Sequence, residues 1–338
     1  HLNFHKREAV TASMSLDAAT TQPARGDLLG EATIRSLRGQ VQDKTFDVGD
    51  IFLNSTLDQD RYELTLNSSV AKVDYDGNVF LTHFIRQAVQ VVSDGHLNSI
   101  IKQKGQHEYD PEAFGSLMLR TLDLQPVCSF FAPKLYISRE SSVGVSMLGN
   151  SVEGRIATEL VAAGSLFVHN LQGRVYNDGL LLRGMFNVDR VESGELFADN
   201  ISLDAAADST GLDLRARFEN EDEKKNRADI QTRLSFGDPA TDGWKFKADI
   251  RPSDLTLAGS TWNLDPSTVF YRDKHIRIEE FALNHGNQSL EIDGIAGDQP
   301  GDTLMVWLND FDVNLVNAFL QRDLDLQGKL TGEGQGIA

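Results

Sequence analysis

Apolar and charged residues alternate without a break over residues 212–219, which read LDLRARFE. The same two-residue period returns over residues 244–251, 276–279 and 290–293. Successive side chains of a β-strand point to opposite faces of a sheet, so this period predicts strands with one apolar face and one charged face. Either a second sheet or an apolar ligand must then cover the apolar face.

Turn dipeptides separate the alternating runs at short intervals. They are Asp76-Gly77, Asp178-Gly179, Ser193-Gly194, Thr210-Gly211, Asp242-Gly243 and His285-Gly286. Glycine supplies the positive φ that tight hairpins need, so neighbouring strands are predicted to be mostly antiparallel. Between residues 134 and 310 the pattern predicts roughly 12 to 14 strands, which leaves little room for crossover helices. The predicted fold class is therefore mainly β, an elongated antiparallel β-meander with a small helical insertion.

Three stretches depart from the strand pattern and predict helices. Six apolar residues in the first stretch fall on one face of a helix: Leu81, Phe84, Ile85, Ala88, Val89 and Val92. A predicted N-cap, a proline at the first helical position and further helical spacing mark the second stretch: Asp110, Pro111, Phe114, Leu117, Met118 and Leu122. A shorter helix is expected over residues 314–321. Packing on the sheet is the favoured role of these stripes, and a membrane or partner surface is the alternative.

These patterns divide the chain into three parts. Residues 1–80 are expected to be strands of the sheet, residues 81–125 a helical insertion, and residues 126–338 a continuous β segment with the short helix near its end. The chain begins at His1 and contains neither a signal-peptide pattern nor a run of 18 apolar residues. We therefore expect it to be a fragment of a longer protein.

Composition narrows the classes of function. The 338 residues include 50 Asp and Glu against 32 Lys and Arg, a formal net charge of -18. This balance argues against a nucleic-acid partner, because binding to a phosphate backbone depends on clustered Lys and Arg. Cys128 is the only cysteine, so neither an intrachain disulfide nor a cysteine-based zinc site can form.

The sequence contains no catalytic motif, and we expect neither enzymatic activity nor a cofactor or metal. The eight histidines are scattered, and no HExxH, GxSxG, GxGxxG or P-loop motif occurs. Two carboxylate pairs, Asp310 with Asp312 and Asp323 with Asp325, resemble the acid and base of a glycosidase. They lack flanking aromatic residues that would form a sugar platform, so a solvated acidic rim is favoured.

Residues 262–338 resemble a known family. Three successive segments carry the likeness: WNLDPSTVFYRDKHIRIEEFALNHGNQSLEIDG (262–294), DTLMVWLNDFDVNLVNAFL (302–320) and LDLQGKLTGEG (324–334). Their order is a strand, a strand ending in glycine, a strand, a short helix with a leucine pair, and a strand with Leu-x-Gly. This order resembles the TamB family of translocation and assembly modules, in the versions found in Bacteroides-type bacteria. Residues 122–138 and 171–175 are compatible with the same family.

The resemblance implies an AsmA-like bridge protein in the periplasm of a Gram-negative cell envelope, with its parent anchored in the inner membrane by an N-terminal helix. It implies a long sheet curled like a taco around an apolar groove. It further implies phospholipid transport to the outer membrane, outer-membrane protein assembly, or both. The implied partners are phospholipid acyl chains and an outer-membrane barrel assembly protein.

Alternation assigns fifteen residues to the lining of the groove. They are Leu212, Leu214, Phe218, Ile230, Leu234, Phe236, Trp244, Phe246, Ile250, Leu255, Leu257, Ile276, Ile278, Leu290 and Ile292. Charged residues between them are expected to face water: Arg215, Arg217, Lys245, Lys247, Arg277, Glu279 and Glu291. Alternatively, the same apolar residues form the closed core of a β-sandwich or β-solenoid, as in a structural or adhesin-like surface protein without lipid. A sugar-active β enzyme is a third class.

Overall fold

A computed structural model describes residues 10–22, 29–41, 44–96, 109–178, 181–194, 196–220, 226–238, 240–315 and 328–337. Strands make up 71% of the structure, so the prediction of a mainly β chain with antiparallel pairing is confirmed. Two helices occur among the described residues, α1 (Leu81–His96) and α2 (Gln125–Phe131). Neither of them has the length and apolar character needed to cross a membrane. The chain divides into unit 1, residues 1–92 and 106–177, and unit 2, residues 93–105 and 178–338.

Unit 1 is an antiparallel meander. Its strands are β1 (Val10–Gln22), β2 (Leu29–Val41), β3 (Lys44–Asp58), β4 (Arg61–Ser68), β5 (Ala71–Gly77), β6 (Phe114–Thr121), β7 (Leu135–Ile137), β8 (Ser142–Leu148), β9 (Ser151–Ala163) and β10 (Leu166–Asp178). Each of the strands β1 to β5 pairs with the next strand in sequence, and β6 then pairs with β8, β8 with β9, and β9 with β10. Strand β7 pairs with the far end of β9. Helix α2 packs beside β3, where the rings of Phe46 and Phe130 lie 4.7 Å apart.

Helix α1 covers one end of the apolar face of unit 1. Phe84 and Val91 on this helix are 1% and 5% exposed, and the Phe84 ring lies 5.3 Å from the ring of Tyr75 on β5. Gly115 on β6 permits this approach, because a Cβ there would lie 2.7 Å from Phe84. The other buried members of the cluster are Ala88, Ala113, Met147 and Val152. The favoured role of the first helical stripe, packing on the sheet, is thus confirmed for its central residues.

Two residues of that stripe do not take part in the packing. Ile85 and Val89 are 44% and 53% exposed. The buried line of the helix runs through Phe84, Ala88 and Val91, and the two exposed residues lie beside it. The apolar residues of α1 therefore cover a wider arc than the sheet beneath the helix can bury.

The second predicted helix, over residues 110–122, is wrong. Residues 114–121 form β6, which pairs with β5 on one side and β8 on the other. Apolar side chains lie on both faces of this strand: Leu117 lies opposite Tyr75 on the covered face, while Phe114 and Met118 on the other face are each 40% exposed. Apolar residues on both faces conceal the two-residue period, so the spacing matched a helix by coincidence.

Other predicted boundaries differ in part from the structure. Asp76-Gly77 ends β5 ahead of α1 instead of forming a hairpin, and Asp76 pairs with Arg61 at 2.6 Å. The expected boundaries at residues 80 and 125 both fall within unit 1, because α1, β6 and α2 pack with its strands. The helix expected over residues 314–321 is described only at its start, where a 3-10 turn spans Val313–Leu315. Residues 316–321 lie outside the described residues.

Unit 2 is a second antiparallel meander. Its strands are β11 (Leu181–Ser193), β12 (Leu196–Ala207), β13 (Gly211–Glu219), β14 (Arg227–Phe236), β15 (Phe246–Ile250), β16 (Ser253–Leu257), β17 (Ser260–Leu264), β18 (Ser267–Arg272), β19 (His275–His285), β20 (Gln288–Ala296), β21 (Thr303–Asp312) and β22 (Lys329–Ile337). Strands β11 to β14 pair in sequence, as do β19 to β22. Between these two groups, β15 and β16 both pair with β14, while β17 and β18 both pair with β19.

Two prolines account for this middle region. Pro252 separates β15 from β16, and Pro266 separates β17 from β18. Proline cannot donate a ladder hydrogen bond. Residues 246–257 and residues 260–272 therefore each form two short strands instead of one long strand. The two divided stretches still pair with each other, since β15 pairs with β18 and β16 pairs with β17.

Candidate functional site

Strand register in unit 2 brings the predicted apolar residues into rows. Leu212 on β13 lies opposite Leu234 on β14 and Ala207 on β12. At the other end of the same strand, Phe218 lies opposite Ala228. Directly opposed residues of an antiparallel pair share a face, so the apolar positions of these strands form one surface.

The same surface continues across the strands that proline divides. Phe236 on β14 lies opposite Phe246 on β15, which in turn lies opposite Tyr271 on β18. The rings of Phe246 and Tyr271 stack at 5.1 Å with an interplanar angle of 21°. On the other branch, Leu255 of β16 lies opposite Ala228. Both branches therefore extend the apolar surface from β14 towards β19.

A β-bulge in β19 keeps the apolar residues on one face. Ile276 and Ile278 precede the bulge, and Phe281 and Leu283 follow it on odd-numbered positions. Glu280 takes a φ of +58° at the bulge. The extra residue shifts the alternation by one position, so residues of different parity face the same side. Sequence alternation alone therefore did not identify Phe281 and Leu283.

Strands β20 and β21 carry the surface further, and β22 ends its apolar character. Leu290 and Ile292 on β20 lie opposite Leu308 and Val306 on β21. On β22 the positions opposite Leu304, Val306 and Leu308 are all glycines, namely Gly336, Gly334 and Gly332. We call the surface from β11 to β22 formed by these rows the apolar face of unit 2.

The predicted lining residues on this face are only partly covered. Fourteen of the fifteen lie on it, all except Trp244. Thirteen of these fourteen are half-buried, Ile276 is 41% exposed, and none is fully buried. A closed sandwich core would bury such side chains completely. Within the described part of unit 2, these positions thus form an apolar surface that its own side chains leave partly open.

One end of the apolar face is filled by the chain itself. Trp262, opposite Leu255, is 1% exposed, and its ring lies 5.6 Å from the ring of Phe311. Leu264 and Leu283 complete this cluster at 5% and 7% exposure. These buried residues were not among the predicted lining residues. The alternation of residues 260–264, which read STWNL, was the signal that could have identified Trp262 and Leu264.

Trp244 lies with the charged face of unit 2 instead of the apolar face. Its ring lies 6.4 Å from the ring of Phe270, and Phe270 is the strand partner of Lys247 and Arg277. Trp244 precedes β15, which begins at Phe246. Outside the strand, the two-residue period no longer fixes the side on which a residue projects.

Ion pairs cross the strands on the charged face. Arg215 donates two hydrogen bonds to Asp229, at 2.8 and 2.6 Å, and Arg217 donates one to Asp204 at 2.6 Å. The hydrogen bond from Arg215 holds the pKa of Asp229 below its ordinary value. Of the residues predicted to face water, four are exposed, namely Arg215, Lys245, Arg277 and Glu291, while Arg217, Lys247 and Glu279 are half-buried.

The candidate glycosidase carboxylates have ordinary surroundings where they are described. Asp310 forms an ion pair with Lys329 at 2.7 Å, and Asp312 ends β21. Asp323 and Asp325 lie outside the described residues. Among the described residues, no group of three or more His, Cys, Asp or Glu side chains is arranged to hold a metal ion.

Comparison of the chain with protein-family models, with curated proteins and with solved structures finds no match. The apolar face of unit 2 and the sequence resemblance of residues 262–338 are therefore the two observations on which a function can rest.

Proposed function

We propose that this chain shields phospholipid acyl chains on the apolar face of unit 2, as an internal segment of a periplasmic bridge protein. The observation that carries the proposal is the alignment of fourteen apolar residues in continuous rows, with none of them fully buried. An acyl chain laid along these rows removes apolar area from water on both partners.

The free energy expected from burial of an acyl chain is sufficient to hold a lipid without a specific pocket. Burial of a methylene group contributes ~0.8 kcal/mol, so an acyl chain of about 16 carbons gains on the order of 10 kcal/mol. The rows consist of leucine, isoleucine, valine and phenylalanine side chains of similar character, so neighbouring positions offer similar binding energy. Such a surface permits a lipid to move along it.

The cellular role is proposed from the resemblance to the TamB family. In this proposal the parent protein is anchored in the inner membrane and bridges the periplasm. The segment contributes to phospholipid transport to the outer membrane or, with an outer-membrane barrel partner, to outer-membrane protein assembly. The charged face, with ion pairs such as Arg215 with Asp229, would remain in water.

A structural or adhesin-like surface protein without lipid is the second candidate. The cluster around Trp262 favours it, because there the side chains of unit 2 themselves bury the apolar face. If a partner or a further segment extended this packing along the strands, no space for lipid would remain. The two candidates differ in one measurable property, which is the presence of bound lipid.

The test uses two neighbouring residues on β14 that lie on opposite faces. Native mass spectrometry and solvent extraction of the purified chain are expected to recover phospholipid. Ile230→Asp places a charge on the apolar face and is expected to reduce bound lipid at least tenfold, because the carboxylate would lose its hydration beside an acyl chain. Gln231→Asp places the same charge on the opposite face, near Arg215 and Arg251, and should retain the lipid.

Circular dichroism of both variants separates loss of lipid from loss of fold. A lipid-free wild-type chain would contradict the proposal and favour the structural candidate. So would unfolding by Ile230→Asp, since an unpaired charge is tolerated on an open surface and destroys a closed core.

A further inference from the structure

The charged face of unit 2 contains a cleft that the proposed lipid function does not use. Its volume is about 710 Å³, and Trp244 and Phe270 form one wall. The opposite side is formed by residues near the β18–β19 turn and by the loop that follows β20, including Arg272, His275 and Gln299. A volume of this size lies within the range of small-molecule sites, roughly 300 to 1,000 Å³.

Packing fixes the aromatic wall of the cleft. Trp244 rests directly on the backbone of Gly237, where a Cβ would come within 2.8 Å of the indole ring. Phe270 lies beside the indole ring, with the two ring centroids 6.4 Å apart at an interplanar angle of 60°, and the guanidinium of Arg277 lies 4.2 Å above the phenyl ring. Because the guanidinium of Arg277 stacks on the Phe270 ring, Trp244 is the aromatic side chain of this wall that is accessible to a ligand.

A partly buried pair supports the floor of the cleft. The Nε2 atom of His275 lies 3.1 Å from Oδ2 of Asp302, and these side chains are 20% and 12% exposed. The backbone N–H of Gln299 donates to the same carboxylate at 3.0 Å. Gly297 makes the arrangement possible, since a Cβ there would lie 2.1 Å from Asp302. The loop carrying Gln299 thus lies against β19 at His275.

The rim of the cleft offers hydrogen-bonding groups that the described residues leave unused. Four rim side chains form no hydrogen bond with any described residue: Arg272, Lys274, Asp298 and Gln299. Their ion-pair contacts are long: 3.7 Å from Arg272 to Asp273, 3.8 Å from Asp298 to Nε2 of His275, and 4.0 Å from Lys274 to Asp298. Elsewhere on this face, pairs such as Arg215 with Asp229 are directly hydrogen-bonded. The rim therefore places donors and acceptors that make no hydrogen bond to the described residues beside an indole ring.

We propose that this cleft binds a neutral oligosaccharide of two or three sugar units. The ring of Trp244 would take the apolar face of a sugar, and Arg272, Asp298 and Gln299 would bond its hydroxyls, which both donate and accept. Charge balance determines the choice of a neutral ligand. Four aspartates and three Arg or Lys side chains line the cleft, so neither a polyanion nor a polycation meets a complementary field.

The test is titration of the full chain with maltotriose, cellotriose and chitotriose by isothermal titration calorimetry and saturation-transfer NMR. We expect at least one of them to bind with a dissociation constant of about 1 mM or tighter. Trp244→Ala should weaken binding at least tenfold, and Gln299→Ala at least threefold. Trp307→Phe should leave it unchanged, because Trp307 lies on the same face outside this cleft.

Gln299→Ala keeps the test informative if Trp244→Ala fails to fold, because the Gln299 side chain is exposed and makes no hydrogen bond within the described structure. The proposal is overturned if none of the three sugars binds at 10 mM, a concentration about tenfold above the expected constant. Equal binding by Gln299→Ala and the wild type would also overturn it, as would preference for a nucleotide or a basic peptide. None of these outcomes depends on lipid, so the proposed lipid function stands or falls separately.

Discussion

The two units carry the same alternation of apolar and polar residues, yet their apolar faces are covered differently. In unit 1, α1 lies on the face, and Phe84 and Tyr75 are 1% and 3% exposed. In unit 2, the rows through Leu212, Phe246 and Ile292 are half-buried. Strand pattern therefore determines that a face is apolar, and a separate element determines whether it is closed.

Connection length accounts for this difference. The chain between β5 and β6 runs over residues 78–113 and contains α1, long enough to return across the sheet. Between β12 and β13 it consists only of residues 208–210, which form a tight turn. A turn of that length reverses the strand but cannot cover a face. Among the described strands of unit 2, short turns leave the apolar face uncovered beyond the Trp262 cluster.

The largest expected effect is on stability when a covered aromatic side chain is removed. Phe84→Ala should lower the free energy of unfolding by about 3–5 kcal/mol, because it leaves a cavity beneath α1. Phe218→Ala on the apolar face of unit 2 should cost about 1 kcal/mol, since water already reaches that side chain. Urea unfolding followed by circular dichroism measures both. Equal losses would mean that the two faces are equally closed.

A smaller effect on stability is expected when valine replaces a glycine in each unit, Gly115 in unit 1 and Gly332 in unit 2. Gly115→Val should cost about 1–3 kcal/mol, because the new side chain would meet Phe84 and Tyr75. Gly332→Val on β22 has no atom within 4 Å of its Cβ position and should change stability by less than about 0.5 kcal/mol. Thermal unfolding of the two variants compares them directly. A large loss at Gly332 would reveal a cover on that part of unit 2.

The smallest effect concerns the charged faces, where the units are expected to behave alike. Arg174 and Arg155 lower the pKa of Glu153 in unit 1, and Arg215 lowers that of Asp229 in unit 2. A carboxyl whose pKa is lowered by folding stabilises the native state above its ordinary pKa, about 4, and loses that contribution as the pH falls further.

Glu153→Gln and Asp229→Asn should therefore each flatten the loss of stability between about pH 5 and pH 2. At pH 7 each should lower the melting temperature by no more than about 2 °C, because exposed ion pairs contribute little. Differential scanning calorimetry across this pH range provides the measurement. A large difference between the two variants in the pH dependence of stability would mean that one of the two ion-pair sites is less accessible to solvent.

Local context determines how well the two-residue period predicts the position of a side chain. Leu212, Leu214 and Phe218 were placed on one face correctly, because an unbroken strand enforces the two-residue period. Strand β6 was mistaken for a helix, since its partners β5 and β8 and not its own spacing hold it extended. Trp244 was assigned to the wrong face because it lies just before its strand and packs on Gly237.

Local sequence encodes the mainly β fold, the reversals between many strands and the division into apolar and charged faces. These follow from side-chain alternation and turn chemistry, which act within a few residues. Long-range packing instead establishes that α1 covers one end of the apolar face of unit 1, that a bulge at Glu280 keeps the apolar residues of β19 on one face, and that Trp262 is buried. Each of those outcomes depends on contacts between residues far apart in the chain, which no local period encodes.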